Sequence, residues 1–287
     1  MTTRRTVLKS TALLLASPTL ALAQNPEADY PSRPVTIIVP FAPGQSADIL
    51  ARVLGERLGK LWGKTVLVEN KGGVGGSIGS LAAARAKPDG YTLLLGSTGP
   101  TAIAPQLSKS AGYDPRKDFT PIVAVAGVPQ MMLVAVNSKY KTMQDVINDA
   151  KNNPGKLSYG TGGNGSLAHL TMEIFKRRAG IEVEHIPYKG AAPAYTDLLA
   201  GRLQVMFDTT PAAIGFVRSG QLRFLAASTS KRTSAAPDIP TVSEAGLPGF
   251  DVLGWLGILA PARLNPALQH RLNQDFQKVL EDPGVRQ

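Results

Sequence analysis

Five short stretches hold the residues with the clearest chemical promise. They are Pro40-Phe41-Ala42-Pro43-Gly44-Gln45-Ser46-Ala47-Asp48, Gly96-Ser97-Thr98-Gly99, Gly160-Thr161-Gly162-Gly163-Asn164-Gly165-Ser166, Pro187-Tyr188-Lys189-Gly190 and Asp208-Thr209-Thr210. Each is rich in glycine or hydroxyl side chains, and most lead into a helical pattern. Helix N-termini carry unpaired N–H groups and a partial positive charge. Glycine lets the backbone come close to a guest, and hydroxyls add donors. Such loops suit a carboxylate or another small oxyanion. None contains arginine, so a bidentate guanidinium clamp is not the expected mode. Singly, each reads as turn chemistry, with Ser46, Ser166 and Thr210 as candidate N-caps. Five at one sheet edge read as a site.

Three sharper motifs compete with that reading. Gly160 to Gly165 satisfies G-x-G-x-x-G, with Glu182 or Glu184 about 20 residues on, as a dinucleotide fingerprint requires. The strand before it is short and polar. Gly75-Gly76-Ser77-Ile78-Gly79 satisfies G-x-S-x-G, the nucleophile elbow of a serine hydrolase. The elbow needs a strand directly before it, and Glu69-Asn70-Lys71-Gly72-Gly73 reads as a loop. For metal, His169, His185 and His270 share no ligand spacing and the chain has no cysteine. His185 reads as a strand-surface residue and His270 as a helix-surface one. His169 lies in the first turn after Ser166, where it faces the site or is a plain helical position.

The elements that must position these loops alternate. Strands are expected at Val35 to Val39, Thr65 to Val68, Tyr91 to Leu95, Thr120 to Val128, Met131 to Val136, Leu157 to Tyr159, Val183 to Ile186, around Val205 and Phe207, at Leu222 to Ala226 and at Val252 to Leu259. Helices are expected at Ala47 to Leu61, with Leu50, Val53, Leu54, Leu58 and Leu61 on one face, and at Gly75 to Ala86. Further helices are expected at Thr142 to about Asn152, Ser166 to Arg178, Ala191 to Ala200 and Pro266 to Leu280. Alternation of this kind argues a parallel α/β sheet with ligands at the carboxyl ends of its strands. The polar stretch 109–121 and the Ser-, Pro- and Gly-rich stretch 230–250 bracket a middle block. The expected domains are therefore residues 26–125 with 248–287, and residues 126–247, joined by two extended strands that let them hinge.

Bulk properties exclude several classes. The 287 residues are 43% hydrophobic and 18% charged, which is globular rather than disordered. The absence of cysteine removes thiolate nucleophiles and disulfide frameworks. Arg4, Arg5 and Lys9 precede a short apolar run from Thr11 to Leu22, and Ala21-Leu22-Ala23 is a small-x-small cleavage site. We read residues 1–23 as an export signal, either ordinary secretory or twin-arginine, too short to span a bilayer. The net charge is +10, or +7 without those three residues. The basic residues are scattered, apart from Lys176-Arg177-Arg178 at a predicted helix C-terminus, where they complement the macrodipole. Nucleic acid is not an expected partner.

The chain resembles the Bug-type (tripartite tricarboxylate transporter) solute-binding receptors from Tyr30 to its C-terminus. The marks are Tyr30-Pro31-Ser32-Arg33-Pro34-Val35, Pro40-Phe41-Ala42-Pro43-Gly44 with Asp48, and Val68-Glu69-Asn70-Lys71 before Gly72-Gly73. Pro88-Asp89-Gly90-Tyr91-Thr92-Leu93, the Gly162 to His169 segment, Pro187-Tyr188-Lys189-Gly190 and Pro240 to Gly246 complete the set. The resemblance implies a type II periplasmic-binding-protein-like α/β fold, with two doubly wound lobes joined by two crossover strands. It implies a periplasmic receptor that captures a small carboxylic acid and delivers it to membrane permease subunits. It assigns one ligand carboxylate to Phe41, Ala42, Gly44 and Ser46, with Asp48 nearby. Thr161, Gly165, Ser166, His169, Ala191, Ala192 and Asp208 are likened to the far side, and Ser97 and Thr98 join from the loop reading. We expect a monomer with no catalytic residues, metal or cofactor and no membrane insertion. A serine hydrolase, an NAD-binding enzyme and a sensor for a signalling partner are the alternatives. Asp48 and Asp208 are expected to orient water or select polar groups on the guest, and Trp255 to report closure. The chain departs from the family pattern at Gln45, where a second glycine is usual. It also ends at Gln287, where relatives usually add a strand and a helix, which bears on whether the first lobe is complete.

Overall fold

The computed structural model describes residues 29–107 and 111–286. The export signal read over residues 1–23 lies outside them, and everything below concerns Pro31 onward. Strand β1 (Val35–Val39) is followed by α1 (Ser46–Trp62), β2 (Val66–Asn70), α2 (Ser77–Ala84) and β3 (Thr92–Ser97). A π-turn over Gly99–Ile103 runs into the short α3 (Ala104–Leu107). Then come β4 (Phe119–Ala135), α4 (Met143–Asn152), β5 (Ser158–Thr161), α5 (Leu167–Ala179), β6 (Glu184–Pro187) and α6 (Ala191–Leu199). The chain continues through β7 (Val205–Thr209), α7 (Thr210–Arg218), β8 (Leu222–Ala227), β9 (Leu253–Pro261), α8 (Pro266–Leu280) and α9 (Pro283–Arg286).

The strands run in the order β2-β1-β3-β9-β4-β7-β5-β6, with β8 also on β4. The parallel sheet expected from the alternation is corrected to a mixed one. Pairs β1–β2, β1–β3, β5–β6 and β5–β7 are parallel, whereas β9 lies antiparallel to β3 and β4, and β4 antiparallel to β7 and β8. The reason is the long β4. Its first part pairs with β9 and its last part with β7 and β8, so one strand belongs to two groups. Two strands were expected here, Thr120 to Val128 and Met131 to Val136, with Pro129 between them. Pro129 instead falls at the hand-over, opposite Leu253, while the next residue, Gln130, already pairs with Thr209. A missing ladder donor costs least at such a junction.

Beyond the hand-over, β4 is buried on both faces, and its side chains alternate accordingly. Met132 and Val134 enter one core with Tyr159, Phe175, Phe207 and Phe250, while Met131 and Leu133 enter another with Tyr195, Leu198 and Phe224. Each fully buried side chain of this kind stabilises by about 1.5–3 kcal/mol. In the other strand group, Ile38, Leu94, Tyr113 and Phe119 share a core.

Several local expectations are also corrected. The buried face of α1 is Ala47, Ala51, Leu54 and Leu58, and Leu61 is exposed. Gly55 shares that face beside β2, where an added Cβ would make an ordinary contact with Val66 at 3.4 Å. Helix α2 starts at Ser77 rather than Gly75, because Gly75 and Gly76 hold φ of 62° and 94°. Helix α7 and the turn over 99–107 had no counterpart in the periodicity reading.

Candidate functional site

The loops at the carboxyl ends of β1, β3, β5, β6 and β7 meet around a cavity of about 110 Å³. The first turns of α1 (Ser46, Ala47) and α5 (Leu167, Ala168), with Ala191 opening α6 and Thr209 before α7, all line it. Four helix N-termini thus converge, each with orphan N–H groups and the positive end of its dipole. Lining hydroxyls come from Ser46, Ser97, Thr98, Thr161, Ser166 and Thr209. Among the described lining residues Asp208 alone is charged.

The first loop is held from behind by Asp48. This side chain is 4% exposed, and its Oδ2 accepts from Gly44 N–H at 2.9 Å and Arg52 Nε at 3.1 Å. Its Oδ1 accepts from Asn70 Nδ2 at 3.0 Å, and the same amide reaches the Phe41 carbonyl at 3.1 Å. Burial raises the Asp48 pKa, but Arg52, the Gly44 amide and Asn70 together outweigh it and hold the carboxyl below its ordinary value. Asp48 is therefore an ionised anchor outside the cavity lining. Ser46, an expected cap, does not cap α1. Gln45 occupies the cap position without a side-chain bond, and the Ser46 hydroxyl contacts Thr209 Oγ1 on the opposite strand group.

The far loop is held by rings. Ser166 does cap α5, accepting from His169 N–H at 3.3 Å. His169 Nδ1 in turn accepts from Gly165 N–H at 3.3 Å. His185 is not a surface residue. It is half-buried, stacked between His169 and Tyr159, with Nε2 at 2.7 Å from Thr161 Oγ1. Burial pushes the His169 pKa down, and it pushes His185 to about 4 with help from neighbouring His169. Asp208 Oδ2 accepts from Tyr195 OH at 2.9 Å and its Oδ1 from Thr209 N–H at 2.7 Å. Burial pushes its carboxyl up, against the pull of those donors. Thr210 is the first helical residue of α7 and not its cap; Thr209 holds that position.

Of the residues expected from sequence, Phe41, Ser46, Ser97, Thr98, Thr161, Ser166, Ala191 and Asp208 line the cavity. Ala42, Gly44, Asp48, Gly165, His169 and Ala192 do not. Ala42 abuts Gly190, where an added Cβ would meet its Cβ at 3.2 Å, and Ala192 is exposed on α6. Sequence reasoning missed Gln130, Leu167, Phe207, Thr209 and Leu256 as lining residues. Thr209 lay in a quoted loop. The others belong to strands and a helix whose rotation no loop motif fixes.

The two strand groups touch at the rim. A Cβ at Gly75 would lie 2.4 Å from the Asn164 carbonyl oxygen, and one at Gly254 would lie 2.2 Å from Leu167. The cavity is below the roughly 300–1,000 Å³ of sites for drug-sized ligands, too small for a dinucleotide over the Gly160 loop. Ser77 follows a 3-10 turn at Val74–Gly76 rather than a strand, so the elbow geometry is absent. Among the described residues no cluster could hold a metal ion, and no helix is long and apolar enough to cross a membrane.

A model described as the tripartite tricarboxylate transporter family receptor matches residues 50–287. The chain belongs to this family. Its members are solute-binding receptors and not enzymes. Protein BugT of Bordetella pertussis is 38% identical over 269 residues, covering 93% of this receptor and 82% of BugT. An R. palustris protein solved with adipate superposes with a TM-score of 0.86 at 34% identity, covering 89% of this receptor and 86% of that chain. MatC from Rhodopseudomonas palustris, solved with bound malate, gives 0.84 at 31%, covering 90% and 87%. The periplasmic-binding architecture expected from sequence is borne out by these likenesses.

Proposed function

We propose that this receptor captures a small carboxylic acid in the cavity, closes over it, and presents the closed form to membrane permease subunits. The carrying observation is the convergence of four helix N-termini and six hydroxyls on one small cavity whose lining holds no cation. Backbone and hydroxyl donors bind an oxyanion without a counter-charge. The adipate and malate bound by its structural relatives are small acids of the fitting kind. We assign ligand contacts to Phe41, Ser46, Ser97, Thr98, Thr161, Ser166, Ala191 and Asp208, with Asp48 anchoring Gly44 behind them. We read residues 26–125 with 248–287 as one lobe and residues 126–247 as the other, hinging about β4 and β9. The family is periplasmic; we place export under the signal at residues 1–23, with cleavage after about Ala23 and a monomeric mature chain. Reversible delivery suits micromolar affinity, about 8 kcal/mol. Calorimetric titration of the folded chain with malate, adipate and a panel of other di-, tri- and aromatic acids tests the reading. A single saturable site for at least one acid is expected; no heat from any acid would overturn it.

A further inference from the structure

Behind the far loop lies a stack of three rings whose support of the loop depends on where its protons sit. Tyr159, fully buried, stacks on His185 with centroids 4.7 Å apart, and His185 stacks on His169 at 4.2 Å. The charged groups beside this stack are Glu173 and Lys176 of α5, paired with each other at 2.7 Å; Glu173 also accepts from Tyr159 OH at 2.6 Å. Each histidine makes one contact to the loop. Gly165 N–H donates to His169 Nδ1, so that nitrogen must be bare and the proton of a neutral His169 must be on Nε2. His185 Nε2 meets Thr161 Oγ1, and here two tautomers are possible.

The difference between those tautomers matters to the guest. Thr161 lines the cavity, and its Oγ1 already accepts from Gly163 N–H at 3.2 Å. If His185 carries its proton on Nδ1, the threonine hydroxyl donates to His185 Nε2 and has nothing left for an anion. If the proton is on Nε2, His185 donates to Thr161, whose own hydroxyl hydrogen then has only the Gly163 carbonyl at a long 3.3 Å. It can leave that carbonyl for a carboxylate in the cavity.

We propose that His169 and His185 are positioning residues for anion capture, acting as neutral stacked imidazoles. His185, as the Nε2–H tautomer, turns the Thr161 hydroxyl toward the guest carboxylate, and His169 holds the Gly165 amide through a bare Nδ1. Protonating His169 puts two N–H groups face to face at Gly165, and protonating both rings puts two cations 4.2 Å apart. Capture therefore requires the stack to be deprotonated. The lowered pKa values of both rings, caused first by burial, agree in direction, with Glu173 opposing and Lys176 assisting.

The proposal rests on the carboxylate reading above, and it carries a sign that simple electrostatics does not. A nearby imidazolium would attract an acid and tighten binding on acidification. A stack that must stay neutral instead weakens binding once pH falls through its lowered pKa values, below 6.5 for His169 and near about 4 for His185, by up to roughly tenfold for each pH unit beyond.

The test has two arms. Nitrogen-15 NMR of the histidine rings in the unmodified full chain at pH 7.5 should show His185 protonated at Nε2 only and His169 bare at Nδ1. Protonation of His185 at Nδ1 overturns the proposal, whether or not any acid binds. The second arm is calorimetry with malate and adipate at pH 7.5 and stepwise down to 4.5, on the original chain and on His185→Gln and His185→Phe. Glutamine keeps a donor toward Thr161 and should stay within about threefold of the original affinity. Phenylalanine keeps the stack without the donor and should bind roughly tenfold or more weakly. A merely structural ring would favour phenylalanine, and that order refutes the proposal. If neither acid nor any other in the panel binds the original chain at pH 7.5, the receptor reading fails separately.

Discussion

The two loops that face each other across the cavity offer similar donors but are supported in opposite ways. Loop 40–46 hangs on an ionised carboxylate, with Asp48 joining Gly44, Arg52 and Asn70. Loop 161–166 hangs on neutral rings, with His185 and His169 stacked on Tyr159. The first support has one partner in water, since the Arg52 side chain is 56% exposed. The second faces inward. Presenting amides to an anion thus needs a rigid backing but no particular charge, and the chemistry of the backing sets which conditions each loop tolerates.

The comparison breaks most sharply if the loops cannot meet. Gly75 combines φ of 62° with 2.4 Å between an added Cβ and the Asn164 oxygen. Gly75→Ala should cost about 2–3 kcal/mol of closure, or roughly 30–150-fold in affinity, while the melting temperature falls much less. Calorimetry and thermal unfolding of the same sample check this; equal affinity would mean that closure is not required. Next in size is Asp48→Ala, which strands the Gly44 and Asn70 donors. We expect about 1–3 kcal/mol of lost stability and a weaker acid site, read by denaturant titration and calorimetry.

Acid sharpens the contrast. Asp48 has a depressed pKa, so its contribution is complete above 3.8 and is lost only as pH falls through that lowered value. Depressed histidines favour the proton-free fold, so their contribution is present above 6.5 and is lost as pH falls from there toward about 4. Hydrogen exchange from pH 7.5 down to 4.5 should therefore release the amides near Gly165 before those near Gly44. Simultaneous release would contradict the assignment of supports. The smallest effect is expected at the contact between the loops of the two groups. Ser46→Ala removes its bond to Thr209 and should weaken acid binding by about 0.5–1.5 kcal/mol, a few-fold in calorimetry.

Much of the fold was legible because periodicity and turn residues act locally. Strand Val35–Val39 and helix Pro266–Leu280 fall where the pattern puts them. Helix α7 was not legible, because Thr210-Pro211-Ala212-Ala213-Ile214-Gly215-Phe216-Val217 shows no polar face and places proline and glycine inside the run. The α1 face was read in part: Leu54 and Leu58 are buried as the periodicity puts them, but bulk suggested Leu50 and Leu61, whereas the small Ala47, Ala51 and Gly55 complete the buried face. In the site, the glycine and hydroxyl loops could be read directly. Gln130, Phe207 and Leu256 could not, since which strand residues face the cavity depends on register across β4, β7 and β9. The ring stack was illegible for a related reason: His169 and His185 are separated by a whole helix and meet only after β5 and β6 pair.

The most direct test is a crystal structure of the receptor with a bound acid, malate or adipate first. The account predicts one carboxylate within about 3 Å of donors from both the Gln45–Ala47 turn and the Thr161–Ser166 loop, with Gly75 still against Asn164. An acid held by only one of these loops, or lodged elsewhere with the loops apart, would contradict it.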